Sequence, residues 1–297
     1  MWKTDLRIAA LDVGGTTVKS ALWQSGALTP PRETPTPVST VEALLEQLCA
    51  IIADMGPVDA IGISTRGSVG REGEIIFDSI LPGYTGTPLR ALLEKRFQVP
   101  VAVENDVNAA AVGEAALGAG KGAPDFLMVT YGTGVGGAIV LDGKVYRGAS
   151  SSAGEFGGMC LFSERPDNHG PWGAFYENYA AAPALIQLVQ QVRPEVQNGK
   201  DVCALLDEPQ VSAAVEQWTR RVAYGLCTLV HIFNPPLMVL GGGIMQNARL
   251  FRLVEQCTKG MVMPGYEILE MKPALLGNTA GMIGAALLAQ GRAGALH

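Results

Sequence analysis

Asp12 ends an apolar run, and Gly14, Gly15 and Thr16 follow at once. A carboxylate there suits a hydrated Mg²⁺, and glycine N–H groups reach phosphate oxygens with no Cβ in the way. A plain hairpin with Asp in its turn would look the same. A second segment of the same style, Gly132-Thr133-Gly134, follows another apolar run, and Gly241-Gly242-Gly243 closes a third. Two hydroxyl-bearing glycine turns at matching places point to two backbone loops closing on one phosphate chain. Neither is a Walker loop or a dinucleotide fingerprint, because each leads into a strand rather than a helix.

Glu104-Asn105-Asp106 lies at a predicted strand end just before a helix. Asp106 there is either the helix N-cap or a general base taking a proton from a hydroxyl, with Asn105 bonding a neighbouring hydroxyl. Glu155 sits in the glycine-dense run Ala153–Gly158, and Glu177 opens an Ala-rich helix. Solvated loop and first-turn carboxylates are the plain readings of these two; pairwise bonding of sugar hydroxyls is the chemical one. His231 reads as a satisfied core residue. His169 lies in a polar loop, and the four ligands of a zinc site are not found around it.

The elements that must position these groups alternate. Strands are expected over Ile8–Val13, Val18–Gln24, Val58–Ser64, Val101–Glu104, Phe126–Thr130, Gly137–Leu141 and Leu237–Leu240. Helices are expected over Val41–Ala53, Leu89–Phe97, Val107–Leu117, Glu177–Val192, Val211–Ile232 and Ala280–Gln290. Thr29–Pro37 reads as a surface connection, Arg66–Val69 as a turn and Ser150–Gly170 as a long loop. The order is an α/β chain with a weak internal duplication, a glycine loop opening each half.

Composition sets the outer bounds. The 297 residues are 48% hydrophobic and 17% charged, enough for a full core and unlike a disordered chain. A net charge of −6 argues against broad nucleic-acid or anionic-membrane binding. No apolar run is long enough to span a bilayer, and the N-terminus lacks a signal-peptide core. The five cysteines are scattered without a C-x-x-C pair and read as buried free thiols of a reducing cytosol.

Together these motifs resemble the ROK family (repressors, open reading frames and sugar kinases) along nearly the whole chain. Asp12–Thr16 looks like its first phosphate motif, Gly132–Gly137 its second and Gly241–Gly243 its adenosine motif. Leu81-Pro82-Gly83-Tyr84, Glu104-Asn105-Asp106 and Ala153–Gly157 match its sugar-side segments. The resemblance implies a two-domain actin-like, hexokinase-like ATPase fold of ribonuclease H-like domains, with an interdomain cleft. The expected domains are 1–119 plus 280–297, and 120–279.

By the same resemblance Asp106 is the catalytic base, and Gly67, Asn105, Glu155 and Glu177 line the sugar pocket. Asp12, Gly14, Gly15, Thr16 and Lys19 serve Mg²⁺ and phosphates, with Asp12 holding the metal through water. Gly132, Thr133 and Gly134 lie opposite, and Gly241, Gly242 and Gly243 take the nucleoside. The implied reaction is ATP- and Mg²⁺-dependent phosphorylation of a hexose or hexoside 6-hydroxyl, in a cytoplasmic homodimer. Glucose, a β-glucoside or an N-acetyl-hexosamine is the implied acceptor.

Two departures stand out. Gly158 occupies the place where many members carry a histidine, and the family's cysteine-rich zinc cluster is replaced by Cys160-Leu161-Phe162-Ser163-Glu164 and Pro171–Glu177. No structural zinc is expected, as in the similar β-glucoside kinases, and Trp172, Phe175 and Tyr176 are expected to order the loop by packing. Two other functions share the core. A sugar-sensing regulator would carry a DNA-binding domain ahead of Asp12, for which there is no room. A catalytically inactive sugar-binding protein would not be expected to keep Asp12, Asp106 and both glycine loops.

Overall fold

The computed structural model describes residues 5–161 and 172–295. In chain order the elements are β1 (Ile8–Val13), β2 (Thr17–Gln24), β3 (Ala27–Leu28), β4 (Arg32–Pro35), α1 (Val41–Asp54), β5 (Ala60–Thr65), β6 (Ser68–Val69), β7 (Ile75–Phe77), α2 (Leu89–Phe97), β8 (Val101–Asn105), α3 (Asp106–Leu117), β9 (Phe126–Tyr131), β10 (Val135–Leu141), β11 (Lys144–Val145), α4 (Glu177–Ala180), α5 (Ala182–Gln190), α6 (Gly199–Ala204), α7 (Pro209–Phe233), β12 (Leu237–Gly241), α8 (Ala248–Met261), β13 (Glu270–Pro273) and α9 (Ala280–Ala295).

The chain packs as two units. The first holds Met1–Lys121, Lys144–Ala153 and Asn278–His297; the second holds Gly122–Gly143 and Gly154–Gly277. Lys144–Ala153, expected with the second domain, packs with the first unit. There β11 lies against α3, and Arg147 in this segment pairs with Glu104.

In the first unit the sheet order is β3-β2-β1-β5-β8, with β4 also paired to β2. β1, β5 and β8 are parallel, in a register that sets Val13 beside Thr65 and Thr65 beside Asn105. Strands covered on both faces read as near-continuous apolar runs, as in fully buried Ile8–Leu11 and Ala60–Ile63. Leu44, Leu48 and Ile52 of α1 and Leu89 and Leu93 of α2 bury against this sheet.

α9 closes the first unit through small residues. A Cβ at Gly62 would collide with the Ala285 carbonyl, and one at Gly284 with the Ala109 carbonyl. β5, α3 and α9 therefore approach with backbone against backbone, which explains the Ala/Gly composition of both helices. In the second unit β9 pairs antiparallel with β10 and parallel with β12, and β12 pairs parallel with β13.

Several boundaries differ from expectation for local reasons. Thr29–Pro37 is not only a connection: Arg32–Pro35 pairs with Thr17–Ser20, with its proline at the end of the edge strand, where it is tolerated. Within Arg66–Val69, Ser68–Val69 is a short strand on β7. The expected helix Glu177–Val192 is broken at Ala181, extended at ψ 167°, because Pro183 begins a new helix there. α6, α8 and β13 were not among the expected elements; α8 carries Leu250, Phe251, Val254 and Thr258 as a buried stripe.

Candidate active site

Three neighbouring parallel strands end together in the first unit. After β1 comes Gly14-Gly15-Thr16, after β5 comes Arg66-Gly67, and after β8 comes Asp106. Adjacent strands are about 4.8 Å apart, so Val13 and Asn105 are about 10 Å apart. Ligands of open α/β sheets bind at such carboxyl ends.

The first loop is held from behind. Gly14 N–H donates to the Thr17 carbonyl at 3.0 Å, and the Thr36 hydroxyl donates to the Gly14 carbonyl at 2.9 Å. Thr16 is exposed and Gly14 and Gly15 are half-buried. Asp12 accepts from the Ser64 hydroxyl at 2.7 Å and faces Lys19 across the β1–β2 ladder. Burial raises the Asp12 pKa; the Ser64 hydrogen bond and the Lys19 charge oppose that rise. The first turn of α9 passes the same carboxylate: a Cβ at Gly281 would lie 3.2 Å from Asp12 Oδ1 and 2.7 Å from Ser64 Oγ. One oriented, incompletely solvated carboxylate beside a phosphate-type loop fits Mg²⁺, which takes one or two carboxylates and keeps water and phosphate oxygens as its other ligands.

Asn105, not Asp106, caps α3. Asn105 Oδ1 accepts from the backbone N–H groups of Val107 at 3.0 Å and Asn108 at 3.1 Å. Its amide nitrogen donates to the Gly67 carbonyl at 3.0 Å and to Asp106 Oδ1 at 2.9 Å. Asp106 Oδ1 also accepts from Val107 N–H at 2.9 Å. Gly67 sits at φ +81°, where a Cβ would lie 2.5 Å from the Phe77 carbonyl, so this turn requires glycine. Beneath the array Glu104, fully buried, accepts from Asn105 N–H and Asn108 Nδ2 and pairs with Arg147. Tyr84, from the Leu81–Tyr84 segment, is buried with its hydroxyl 2.9 Å from Thr65 Oγ1, and burial lifts its pKa to about 12.

The second unit repeats the pattern. β9 and β12 are parallel with Gly241 beside Thr130, so Gly132-Thr133-Gly134 and Gly242-Gly243 leave the same sheet edge. Gly242, at φ +92°, lies flat on Tyr131, whose carbonyl a Cβ would strike. At Gly132 and Gly243 a Cβ would meet nothing within 4 Å, so protein packing does not demand glycine there. Open glycines at a strand end fit close approach by a nucleotide.

Glu177 Oε2 accepts from Val135 N–H at 3.4 Å and lies 2.7 Å from where a Gly134 Cβ would stand. Glu177 thus backs the second glycine loop. Glu155 precedes the 3₁₀ turn Phe156–Gly158. Its pKa is raised, first by loss of water around the carboxyl and then by the Glu177 charge.

Of the aromatics expected to order the zinc-free loop, Tyr176 is anchored in the second unit. It is fully buried, meets Tyr131 hydroxyl-to-hydroxyl at 2.8 Å, donates to the Val222 carbonyl at 2.7 Å, and fits because α7 has Gly225 beneath its ring. Phe175 bridges to Cys160. Trp172 is 64% exposed rather than packed in the core, and its carbonyl accepts from Phe175 N–H and from the Asn178 amide. Gly158 is exposed, and among the described residues the Phe175 ring is what a Cβ there would meet, at 3.9 Å. His231 is half-buried rather than core, with Nε2 accepting from Met263 N–H. Phe162, Ser163, Glu164, His169 and Pro171 lie outside the described residues. Among the described residues no group of three His, Cys, Asp or Glu side chains is placed to hold a metal, and no helix is long and apolar enough to cross a membrane.

Residues 8–292 match the ROK family. The chain belongs to the ROK family. Relatives include an uncharacterized protein of Clostridium perfringens, 35% identical over 93% of this chain and 95% of that one. A glucokinase of Halalkalibacterium halodurans is 30% identical over 95% and 94%. A β-glucoside kinase of Listeria innocua is 29% identical over 94% and 96%. Among solved structures, the ROK hexokinase of Thermus thermophilus matches with TM-score 0.80 at 32% identity, covering 96% of this chain and 98% of that one. A ROK glucokinase of Streptomyces griseus in complex with glucose and AMPPNP matches with TM-score 0.83 at 28% identity over 96% and 99%. This ROK chain therefore has the actin-like, hexokinase-like fold.

Sequence reasoning did not single out Arg66, Asp78, Ser64, Arg147 or Gly281 in this ROK site. Ser64 follows from parallel register once β1 and β5 are paired. The others depend on contacts distant in sequence and have no local signal.

Proposed function

We propose that this ROK protein is an ATP- and Mg²⁺-dependent kinase that phosphorylates the 6-hydroxyl of a hexose or hexoside. The observation that carries the reading is Asp106. It starts α3 at the same carboxyl edge of the sheet as the Gly14-Gly15 loop, two strands away, while its neighbour Asn105 does the capping. A carboxylate in that place suits a general base rather than a helix cap.

In the proposed reaction Asp106 takes the proton of the sugar 6-hydroxyl as that oxygen attacks the γ-phosphorus in line. The new O–P bond forms as the bond to the bridging β-phosphate oxygen breaks, and ADP leaves. Gly67, Asn105, Glu155 and Glu177 hold the other sugar hydroxyls. Gly14, Gly15, Thr16, Lys19, Gly132, Thr133 and Gly134 receive phosphate oxygens, and Gly241, Gly242 and Gly243 lie along the nucleoside. Mg²⁺, when bound, neutralises phosphate charge, and Asp12 is the residue that would hold it, through water. Fixed backbone donors stabilise the developing charge without reorganising.

Glucose, a β-glucoside and an N-acetyl-hexosamine are the candidate acceptors, and a cytoplasmic homodimer is the proposed working form. Light scattering behind a sizing column tests the dimer. The reaction is tested by following ADP release from ATP over a panel of hexoses, amino sugars and β-glucosides. Sugar-dependent ADP release with phosphate on O6 is expected; rejection of every 6-hydroxyl sugar would overturn the reading.

A further inference from the structure

Arg66 lies between the two functional loops of the first unit. Its backbone N–H donates to the Val13 carbonyl at 3.3 Å, one residue before Gly14-Gly15. The next residue, Gly67, receives the Asn105 amide. The guanidinium is gripped by Asp78 in a two-point contact, Nε to Oδ2 at 3.1 Å and Nη2 to Oδ1 at 3.2 Å. Asp78 is itself fixed, its Oδ1 accepting from Ile80 N–H at 3.0 Å and Leu81 N–H at 2.7 Å. The Arg66 side chain is 12% exposed and that of Asp78 3%.

The third guanidinium nitrogen is different. Nη1 is buried and makes no hydrogen bond among the described residues, and a Cβ at Gly15 would lie 3.1 Å from it. A buried ion pair kept only for stability would be expected to satisfy its donors, because an orphaned donor is costly. Here the clamp turns the unsatisfied end toward the glycine that the phosphate loop uses. A Cβ at position 15 would come tight against Nη1, and the clamped guanidinium would have to give by a few tenths of an ångström to admit it.

We propose that Arg66 is a positioning residue for phosphoryl transfer. Asp78 fixes its guanidinium behind Gly15, and the positive charge holds the Gly14-Gly15-Thr16 loop in the arrangement that receives a nucleotide's phosphates. This rests on the kinase reading for its consequence in turnover, but on the loop geometry for its consequence in nucleotide binding. Arginine suits the role because its planar fork gives two nitrogens to the carboxylate and leaves the third pointing elsewhere.

The test uses the full chain and the double variant Arg66→Met with Asp78→Asn, which leaves no buried charge unpaired. Three quantities are measured: kcat on the best sugar, and calorimetric Kd values for that sugar and for a non-hydrolysable ATP analogue with Mg²⁺. Expected are a kcat loss of about 100-fold, about tenfold weaker analogue binding, and a sugar Kd within about twofold of the parent. A merely structural pair would move melting temperature or all three quantities together. Unchanged kcat and analogue Kd would overturn the proposal.

If the double variant does not fold, Arg66→Lys decides, because it keeps the charge but not the fork. A tenfold loss of kcat at unchanged sugar Kd supports the role, and wild-type kcat overturns it. Should the parent transfer phosphate to no sugar, the kinase reading fails, while the ratio of analogue Kd values still judges Arg66. Absence of analogue binding by the parent overturns both.

Discussion

The Asn105 amide nitrogen donates to Asp106 Oδ1 at 2.9 Å while the oxygen of the same amide caps α3. One side chain thus ends the strand, starts the helix and orients the neighbouring carboxylate. Asn105→Ala is expected to cost about 1 kcal/mol from the lost cap and to lower kcat as well. Asn105→Asp separates the two effects. Aspartate restores the cap but sets an acceptor oxygen against Asp106 Oδ1 and the Gly67 carbonyl, so melting temperature should recover only in part while kcat stays low. Thermal unfolding and steady-state kinetics on both variants check this.

Gly242 and Gly243 are neighbours with opposite requirements. Gly242→Ala forces a Cβ onto Tyr131 at φ +92° and is expected to destabilise the fold, by about 1–3 kcal/mol from backbone strain alone. Gly243→Ala meets nothing within 4 Å, so stability should be unchanged. Under the proposed function its methyl group occupies nucleotide space, and ATP KM should rise. Denaturant titration together with ATP KM distinguishes the two.

The Glu155 pKa lies above its ordinary 4.5, through burial first and the Glu177 charge second. A raised carboxyl pKa contributes stability that is complete below the ordinary value. That contribution is lost as pH climbs through the raised one. Glu177→Gln removes the second cause only. Carbon NMR titration of the Glu155 carboxyl should show its midpoint moving down in the variant while remaining above the ordinary value. The loss of stability between those two pH values should shrink. An unmoved midpoint would show that the two carboxylates do not interact.

The sequence carries the frame of this fold where signals are local. Ile8–Val13 is legible as a buried strand because five of its six residues are apolar, and the glycines at 14–15 mark its exit. Asp106 is legible only as one of two things, cap or base, and the structure gives the cap to Asn105 instead. Arg66 has no local signal at all. Its partner Asp78 is fixed by the β6–β7 hairpin, and its neighbour Gly15 comes from a different strand, so only the parallel register of β1 and β5 brings them together. The division of Glu177–Gln190 into two helices was readable from Pro183. The exposure of Trp172 was not, because aromatic residues clustered in sequence need not share one face.

The most direct measurement is single-turnover transfer from ATP to the best sugar by Asp106→Asn, paired with the sugar Kd of the same variant. The carboxamide keeps the size of the side chain and cannot take the proton. Transfer to O6 should fall by about 10²–10⁴-fold, with the sugar Kd within about threefold of the parent. Transfer at a near-parent rate would contradict Asp106 as the base and, with it, the proposed mechanism.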